Sequence, residues 1–318
     1  MSDFRSYSGE EFYSLVFPDR PFLVDGILKE KDSLLLVGSP KSGKSILIFQ
    51  LICSLTSQHP FLDKYAVPRP CTVSYVQLEG KLANYHDRLI RMTHSLELNP
   101  SFMHYKYSGP INLLDKKQAN RLCEEIKQFQ PTLDVLIFDP LYFMFPGSLS
   151  DDAVVREVLG NLRIIQDFFG CAMIIVHHTH KPRLDTSGAL IDEGDSASFG
   201  SIFLHAWPDH VMLLNFNKKT GLRTFTCDTQ RSGDILTSLN LRLIQPDPLY
   251  FEPTEGQSTA MKQTEILDFL RKNGPSTYRE ILTGMSLSES TFFYSIKPLI
   301  VSKVVKKDSS FKPQKYTL

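Results

Sequence analysis

Residues Gly38-Ser39-Pro40-Lys41-Ser42-Gly43-Lys44-Ser45 match the phosphate-binding pattern G-x-x-x-x-G-K-[ST] at every specified position. An apolar run, Leu34-Leu35-Leu36-Val37, leads into them, and Ile46-Leu47-Ile48-Phe49 leads out. The motif therefore stands at a strand-to-helix turn, which constrains the fold more than any other feature of the chain. Its glycines let backbone N–H groups face phosphate, and the next helix presents its N-terminus to the same charge. Lys44 is expected to reach the β- and γ-phosphates of ATP, and the Ser45 hydroxyl to hold Mg²⁺.

The surrounding pattern supplies the sheet that such a loop needs. Short apolar runs at Ser33–Val37, Thr72–Leu78, Leu133–Phe138, Ala172–Val176 and His210–Phe216 read as strands. Amphipathic stretches at Ser45–Leu55, Lys81–Leu96, Lys116–Phe129 and Asp152–Phe169 separate the first four. Strands alternating with helices predict an α/β fold: a mostly parallel twisted sheet with helices on both faces. Leu222–Asp228 and Leu236–Leu243 read as an antiparallel extension at the sheet edge.

In a parallel sheet the carboxyl ends of the strands gather on one edge, where open α/β folds bind ligands. Val135-Leu136-Ile137-Phe138 ends on Asp139, a candidate second Mg²⁺ ligand. Tyr75-Val76-Gln77-Leu78 ends on Glu79, a candidate for activating water. Ile174-Ile175-Val176 ends on His177-His178-Thr179-His180. Side chains alternate along a strand, so His177 and His178 point to opposite faces, and a polar γ-phosphate sensor fits better than a metal site. His178 is the preferred sensor.

Charge and cysteines narrow the classes. The five cysteines are scattered, without CxxC spacing, as expected of free thiols in a reducing compartment. No apolar run approaches the ~20 residues needed to span a bilayer, and Met-Ser-Asp-Phe-Arg opens no signal-peptide pattern. A soluble cytoplasmic protein without a membrane partner is expected. Net charge is zero, yet residues 258–318 carry ten Lys or Arg against five Asp or Glu, and the rest 25 against 30. A small basic unit follows a mildly acidic body.

The domain organisation follows: a lead-in segment at residues 1–26, the ATPase domain at 27–244, a proline-rich linker at 245–260, and a second domain at 261–318. Three helical stripes and two β-like pieces in that last unit make a winged-helix pattern, with a capping box from Ser286 to Glu289 opening the third helix. Its positive charge lies on the wing, at Lys303, Lys306, Lys307, Lys312 and Lys315. Those lysines are candidates for duplex phosphate contacts; a protein-docking winged helix is the alternative.

The loop, Glu79, Asp139 and Ile-Val-His-His-Thr-His-Lys, taken in that order, resemble the RecA-like P-loop ATPases, and most of all the RepA-type replicative helicases of plasmids and phages. Phe22-Leu23-Val24-Asp25-Gly26-Ile27-Leu28 and Ala206-Trp207-Pro208-Asp209-His210-Val211 are similar to theirs as well. The likeness spans roughly residues 20–235. It implies Glu79 as catalytic base, His178 as γ-phosphate sensor, and a homo-oligomeric ring, a hexamer, with ATP between subunits. It also implies an arginine supplied by the neighbouring subunit. Arg231 fits that arginine, although Thr229 stands where a lysine is usual; Arg223 and Lys218 are alternatives. The loop at 181–197, with Lys181 and Arg183, either lines a pore that touches single-stranded DNA or is a surface loop. The implied function is an ATP-driven DNA helicase or translocase of a mobile element. The alternative is an ATPase switch, a recombination or transcription regulator that binds DNA without unwinding it. A small-molecule kinase accounts for neither the histidines nor the second domain.

Overall fold

The computed structural model describes residues 6–96, 100–107, 111–178, 201–218, 220–231, 238–254, 259–285, 287, 292, 295–296, 299–300, 304–308 and 315–317. The chain divides into two compact units, Met1–Thr254 and Glu255–Leu318.

In the first unit, a short helix α1 (Gly9–Ser14) precedes a two-stranded ribbon of β1 (Phe22–Val24) and β2 (Leu28–Lys29). The large sheet contains β3 (Ser33–Gly38), β4 (Val73–Gln77), β5 (Phe102–Lys106), β6 (Val135–Asp139), β7 (Ala172–His178), β8 (His210–Phe216), β9 (Arg223–Gln230), β10 (Leu239–Ile244) and β11 (Tyr250–Thr254). Its order is β11-β10-β9-β8-β3-β7-β6-β4-β5. Every pairing from β5 across to β8 is parallel, and β8 to β11 continue antiparallel. The helices are α2 (Lys44–Ser57), α3 (Leu82–Leu96), α4 (Lys116–Phe129), α5 (Asp152–Phe169) and α6 (Ile202–Ala206).

The central strands are buried on both faces, which is why they read as continuous apolar runs. Leu34, Leu36, Val135, Ile137, Ile174 and Val176 face one layer with α2 and α3 residues such as Phe49 and Tyr85. Leu35, Val37, Leu136, Phe138, Met173 and Ile175 face the other, with Leu122 of α4 and Val158 of α5. Helix limits follow their caps. Asp151 accepts from the N–H groups of Ala153 and Val154, and Gly170 ends α5 at φ 61°.

Two segments differ from expectation. Residues 245–260 were expected to be linker, yet residues 250–254 form β11, the outermost strand, paired with β10 from Asn240↔Thr254 to Ile244↔Tyr250. Pro253 masked it, because proline is tolerated on an edge strand where its missing N–H is not needed. The lead-in at 1–26 is likewise drawn into the body: Leu23 and Val24 of β1 are fully buried.

The second unit contains α7 (Thr259–Asn273), α8 (Tyr278–Gly284) and an antiparallel sheet of β12 (Ser276–Thr277), β14 (Lys315–Thr317) and β13 (Lys306–Asp308), in that order. Ile266, Leu270, Ile281, Phe292, Ile296 and Tyr316 share its core. Most of the segment expected as its third helix lies outside the described residues. Among the described residues, no helix is long and apolar enough to cross a membrane.

Strand β11 bears on the loop through Phe251. Its N–H donates to Gln50 Oε1, and its carbonyl accepts from Gln50 Nε2, both at 2.8 Å. Its ring lies beneath Gly43. Phe251→Ala is expected to destabilise the first unit by about 3–5 kcal/mol, the usual cost of emptying a buried aromatic site. Urea denaturation measures it, and nucleotide affinity should fall in parallel as the loop loses its support.

Candidate nucleotide-binding site

The motif predicted as a phosphate loop joins β3 to α2, as the sequence pattern requires. Gly43 has φ +103°, a region that L side chains rarely adopt, and a Cβ there would lie 2.7 Å from the Phe251 ring. At Gly38 a Cβ would meet the Leu214 carbonyl oxygen at 2.5 Å. Both glycines are therefore required by close packing. The loop borders a cleft of about 450 Å³ whose lining includes Lys41, Gly43, Lys44, Ser45, Glu79, His178 and Arg223. A cleft of that size suits a nucleotide.

Lys44 is almost fully buried. Its Nζ donates to the carbonyls of Gly38 (2.6 Å) and Ser39 (3.0 Å) and lies 2.9 Å from His178 Nδ1. Burial brings its pKa down to about 8, against the pull of Asp139 and Glu79. His178 Nε2 in turn lies 3.9 Å from Glu79 Oε1. Strand register makes this possible, since Gly38 pairs with His178 and Gln77 with Asp139. His177 is buried, one residue earlier and on the opposite face.

Glu79 also accepts a hydrogen bond from Tyr142 Oη, whose ring lies 5.5 Å from that of His178. Its carboxyl is held below the ordinary range by His178 first, with Tyr142 adding to the effect against partial burial. Gln77 secures the backbone beneath: its Nε2 donates to the Glu79 carbonyl at 2.6 Å, while His104 lies 2.9 Å from its Oε1.

Asp139 closes β6 at 1% exposure and accepts from Tyr75 Oη at 2.9 Å. Burial raises its pKa first and Glu79 adds to it, while the Ser45 hydroxyl and Tyr75 work the other way. The Ser42 hydroxyl is buried with no hydrogen-bond partner. One serine hydroxyl beside a buried carboxylate is an all-oxygen donor set, which fits a hard cation such as Mg²⁺. Ser45 and Asp139 would hold it. Among the described residues no cluster of three His, Cys, Asp or Glu side chains could hold a further metal.

The structure thus brings together the loop, Glu79, Asp139 and His178. It does not bring Arg231 to them. Strand β9 runs antiparallel to β8, so its first residue, Arg223, lies at the loop edge and Arg231 follows its last residue at the far edge. There the Arg231 guanidinium donates to the Ala206 carbonyl. Arg223 Nε donates to the Ser42 carbonyl at 3.3 Å, within the same chain. Sequence reasoning missed Tyr142, Tyr75, Gln77 and the placement of Arg223. Only strand alternation offered a signal, because Tyr75 and Gln77 share a face of β4. Lys306 and Lys307 are exposed on β13, and Lys315 pairs across the ladder with Asp308. Lys181, Arg183, Lys303 and Lys312 lie outside the described residues.

The sequence profile of a family described as AAA domain matches residues 9–183. The chain belongs to the AAA domain family. No curated protein is significantly similar to this AAA domain protein in sequence. Three solved structures are similar to it in fold. The ATPase domain of G40P is 12% identical over 71% of this chain and 85% of that one, with a TM-score of 0.53. A DnaB-like replicative helicase, described with its interactions with primase, is 12% identical over 77% and 66%, with a TM-score of 0.56. The KaiC-like protein PH0186 from Pyrococcus horikoshii OT3 is 12% identical over 73% and 93%, at 0.50. The fold is accordingly that of the RecA-like P-loop ATPases.

A carboxyl whose pKa rises on folding stabilises the fold fully only below the ordinary carboxylate range, and that contribution is lost as pH climbs through the folded value. At pH 7 Asp139 therefore opposes folding in the chain alone. Asp139→Asn is expected to raise the melting temperature at pH 7, with the gain vanishing below about pH 3.5, and to abolish Mg²⁺-dependent nucleotide hydrolysis. Scanning calorimetry over that pH range measures the first effect.

Proposed function

We propose that this AAA domain protein is an ATP-hydrolysing, DNA-dependent motor, a ring-forming helicase or translocase of the replicative type. The observation that carries the reading is the line Lys44–His178–Glu79 at the mouth of the loop. It gives a phosphate-binding ammonium, a histidine that contacts it, and a carboxylate within reach of that histidine. Likeness in fold to the ATPase domain of G40P and to a DnaB-like replicative helicase supports DNA as the partner.

In this reading Glu79 takes a proton from the attacking water, with Tyr142 and His178 fixing its two oxygens. Lys44 leaves the carbonyls of Gly38 and Ser39 to engage phosphate, which also releases His178 Nδ1. His178 thereby registers whether the γ-phosphate is present. When bound, Mg²⁺ would supply charge neutralisation on the phosphates, and Ser45 and Asp139 would hold it. Arg231, remote from its own loop, acts on a neighbour's nucleotide in a hexameric ring, while Arg223 serves its own. Residues 261–318 are read as a winged helix whose lysines 303, 306, 307, 312 and 315 contact duplex phosphates, and Lys181 and Arg183 as single-strand contacts. A cytoplasmic setting accompanies this reading.

Glu79→Gln is expected to retain ATP binding and slow hydrolysis by roughly 10²-fold or more. The wild-type chain should displace a strand from a forked duplex only with ATP. DNA binding and hydrolysis without displacement would instead indicate the switch that binds without unwinding. Arg231→Ala should bind ATP and hydrolyse it poorly, yet regain activity when mixed with Lys44→Ala, because an intact loop then faces an intact arginine across a subunit boundary. Absence of rescue in mixtures shown by sizing to co-assemble removes Arg231 from that role.

A further inference from the structure

Gln77 is fully buried at the end of β4. An aliphatic side chain would serve packing there, so a buried amide has to be explained by its partners. Its Nε2 lies 2.6 Å from the Glu79 carbonyl and 3.4 Å from that of Gly80. Both carbonyls accept, so the NH₂ end of the amide faces them and Oε1 faces away. Oε1 can only accept, and His104 Nε2 stands 2.9 Å from it. The network therefore assigns the ring proton to Nε2, across the amide from two backbone carbonyls. Burial first, and then Lys106, hold the His104 pKa below its ordinary range, which keeps the ring neutral at pH 7.

The imidazole is itself held by its neighbours. It stacks on Phe102 with centroids 6.2 Å apart and meets Tyr75 edge-on at 5.2 Å. Tyr75 pairs with His104 in the β4–β5 register and shares a face of β4 with Gln77. What the amide holds is the bend at 78–81, which joins β4 to α3. The Leu78 N–H still follows the sheet and donates to the Asp139 carbonyl at 2.9 Å. Beyond it the backbone turns through Gly80 at φ +69°. There the Glu79 carbonyl accepts from Gln77 at 2.6 Å and, more distantly, from Lys106 Nζ at 3.5 Å.

We propose that His104 and Gln77 are positioning residues for the catalytic base: His104 orients the Gln77 amide, and the amide fixes where Glu79 leaves the sheet. The role rests on reading Glu79 as that base. Tyr142 and His178 meet the Glu79 carboxylate, but they act on the side chain and leave the backbone beneath it to Gln77. A buried polar network whose members are all satisfied is rigid. Rigidity matters here because misplacing a reacting group by about 1 Å can cost on the order of 10²-fold in rate.

Hydrogen exchange of the full chain without nucleotide tests the positional half. Gln77→Leu and His104→Phe should each speed exchange at 78–81 by about tenfold or more, with β6 and β7 unchanged. His104→Phe keeps the ring between Phe102 and Tyr75 and removes only the donor, so it carries the test if Gln77→Leu folds poorly. Steady-state hydrolysis tests the kinetic half. Both variants should lower kcat roughly tenfold, while affinity for a fluorescent ATP analogue stays within about twofold. His104→Gln, which keeps an N–H donor, should recover most of the loss. Placed on Glu79→Gln, Gln77→Leu should cost almost nothing further, because the group it positions is already gone. Unchanged exchange at 78–81 overturns the proposal, and so does an equal cost of Gln77→Leu with and without Glu79, which marks a purely structural amide. Wild-type turnover by Glu79→Gln, with exchange at 78–81 still raised by Gln77→Leu, would show instead that the bend is held as described and that the base reading has failed.

Discussion

The chemistry rests on a buried charge pair. Lys44 and Asp139 are withdrawn from water at the carboxyl edge of the sheet, and isolated charges there would cost several kcal/mol each. Both feel the cost, since burial is the leading influence that lowers one pKa and raises the other. Local partners offset part of it: two loop carbonyls and His178 for Lys44, Tyr75 and Ser45 for Asp139. None of them is a full counter-charge in direct contact. Such a site is stable enough to exist and poorly enough satisfied to favour a polyphosphate and a cation, which is the balance a nucleotide site needs.

What holds that arrangement in place lies largely outside the motif. The antiparallel extension brings Phe251 beneath Gly43 and Arg223 against the Ser42 carbonyl, and Gln50 of α2 locks β11 through both polar groups of the Phe251 backbone. A loop with Lys41 and Gly43 both at positive φ has many alternatives in isolation. Packing from behind removes them, so binding need not order the loop at its own expense.

Much of this was legible because two periodicities are strong. Buried parallel strands appear as unbroken apolar runs, and α4, α5 and β8 occupy the ranges their patterns mark. Asp139 at the end of β6 and Glu79 two residues past β4 were marked by where the apolar runs stop, and the opposed faces of His177 and His178 follow from alternation. Other parts left no such trace. Strand β5 is half-buried throughout, carries a histidine and a lysine, and shows no apolar run. Strand β11 contains a proline that only an edge position permits. Tyr142 is exposed and sits on a single 3₁₀ turn, Leu141–Phe143, so its bond to Glu79 depends on how that turn leaves β6. Arg223, the first residue of β9, and Arg231, just past its end, could not be ranked by spacing. Their separation is decided by strand direction, which sets Arg223 and Arg231 at opposite edges of the sheet.

That separation gives the domain two working edges. Phosphate chemistry occupies the carboxyl edge, where the parallel strands end together. At the opposite edge, Asp209 accepts from the N–H and hydroxyl of Ser33, and the buried His210 lies 2.7 Å from Asp32, which also holds Arg20. Arg231 meets this same anchored region, since the Asp209 carbonyl accepts its N–H. A displacement there can reach the loop edge through β3, a short fully buried strand that begins at Ser33 and ends at Gly38. Close-packed interiors transmit strain rather than absorb it. One buried strand therefore joins the Ser33–Asp209 anchor at one edge of the sheet to the phosphate-loop motif at the other.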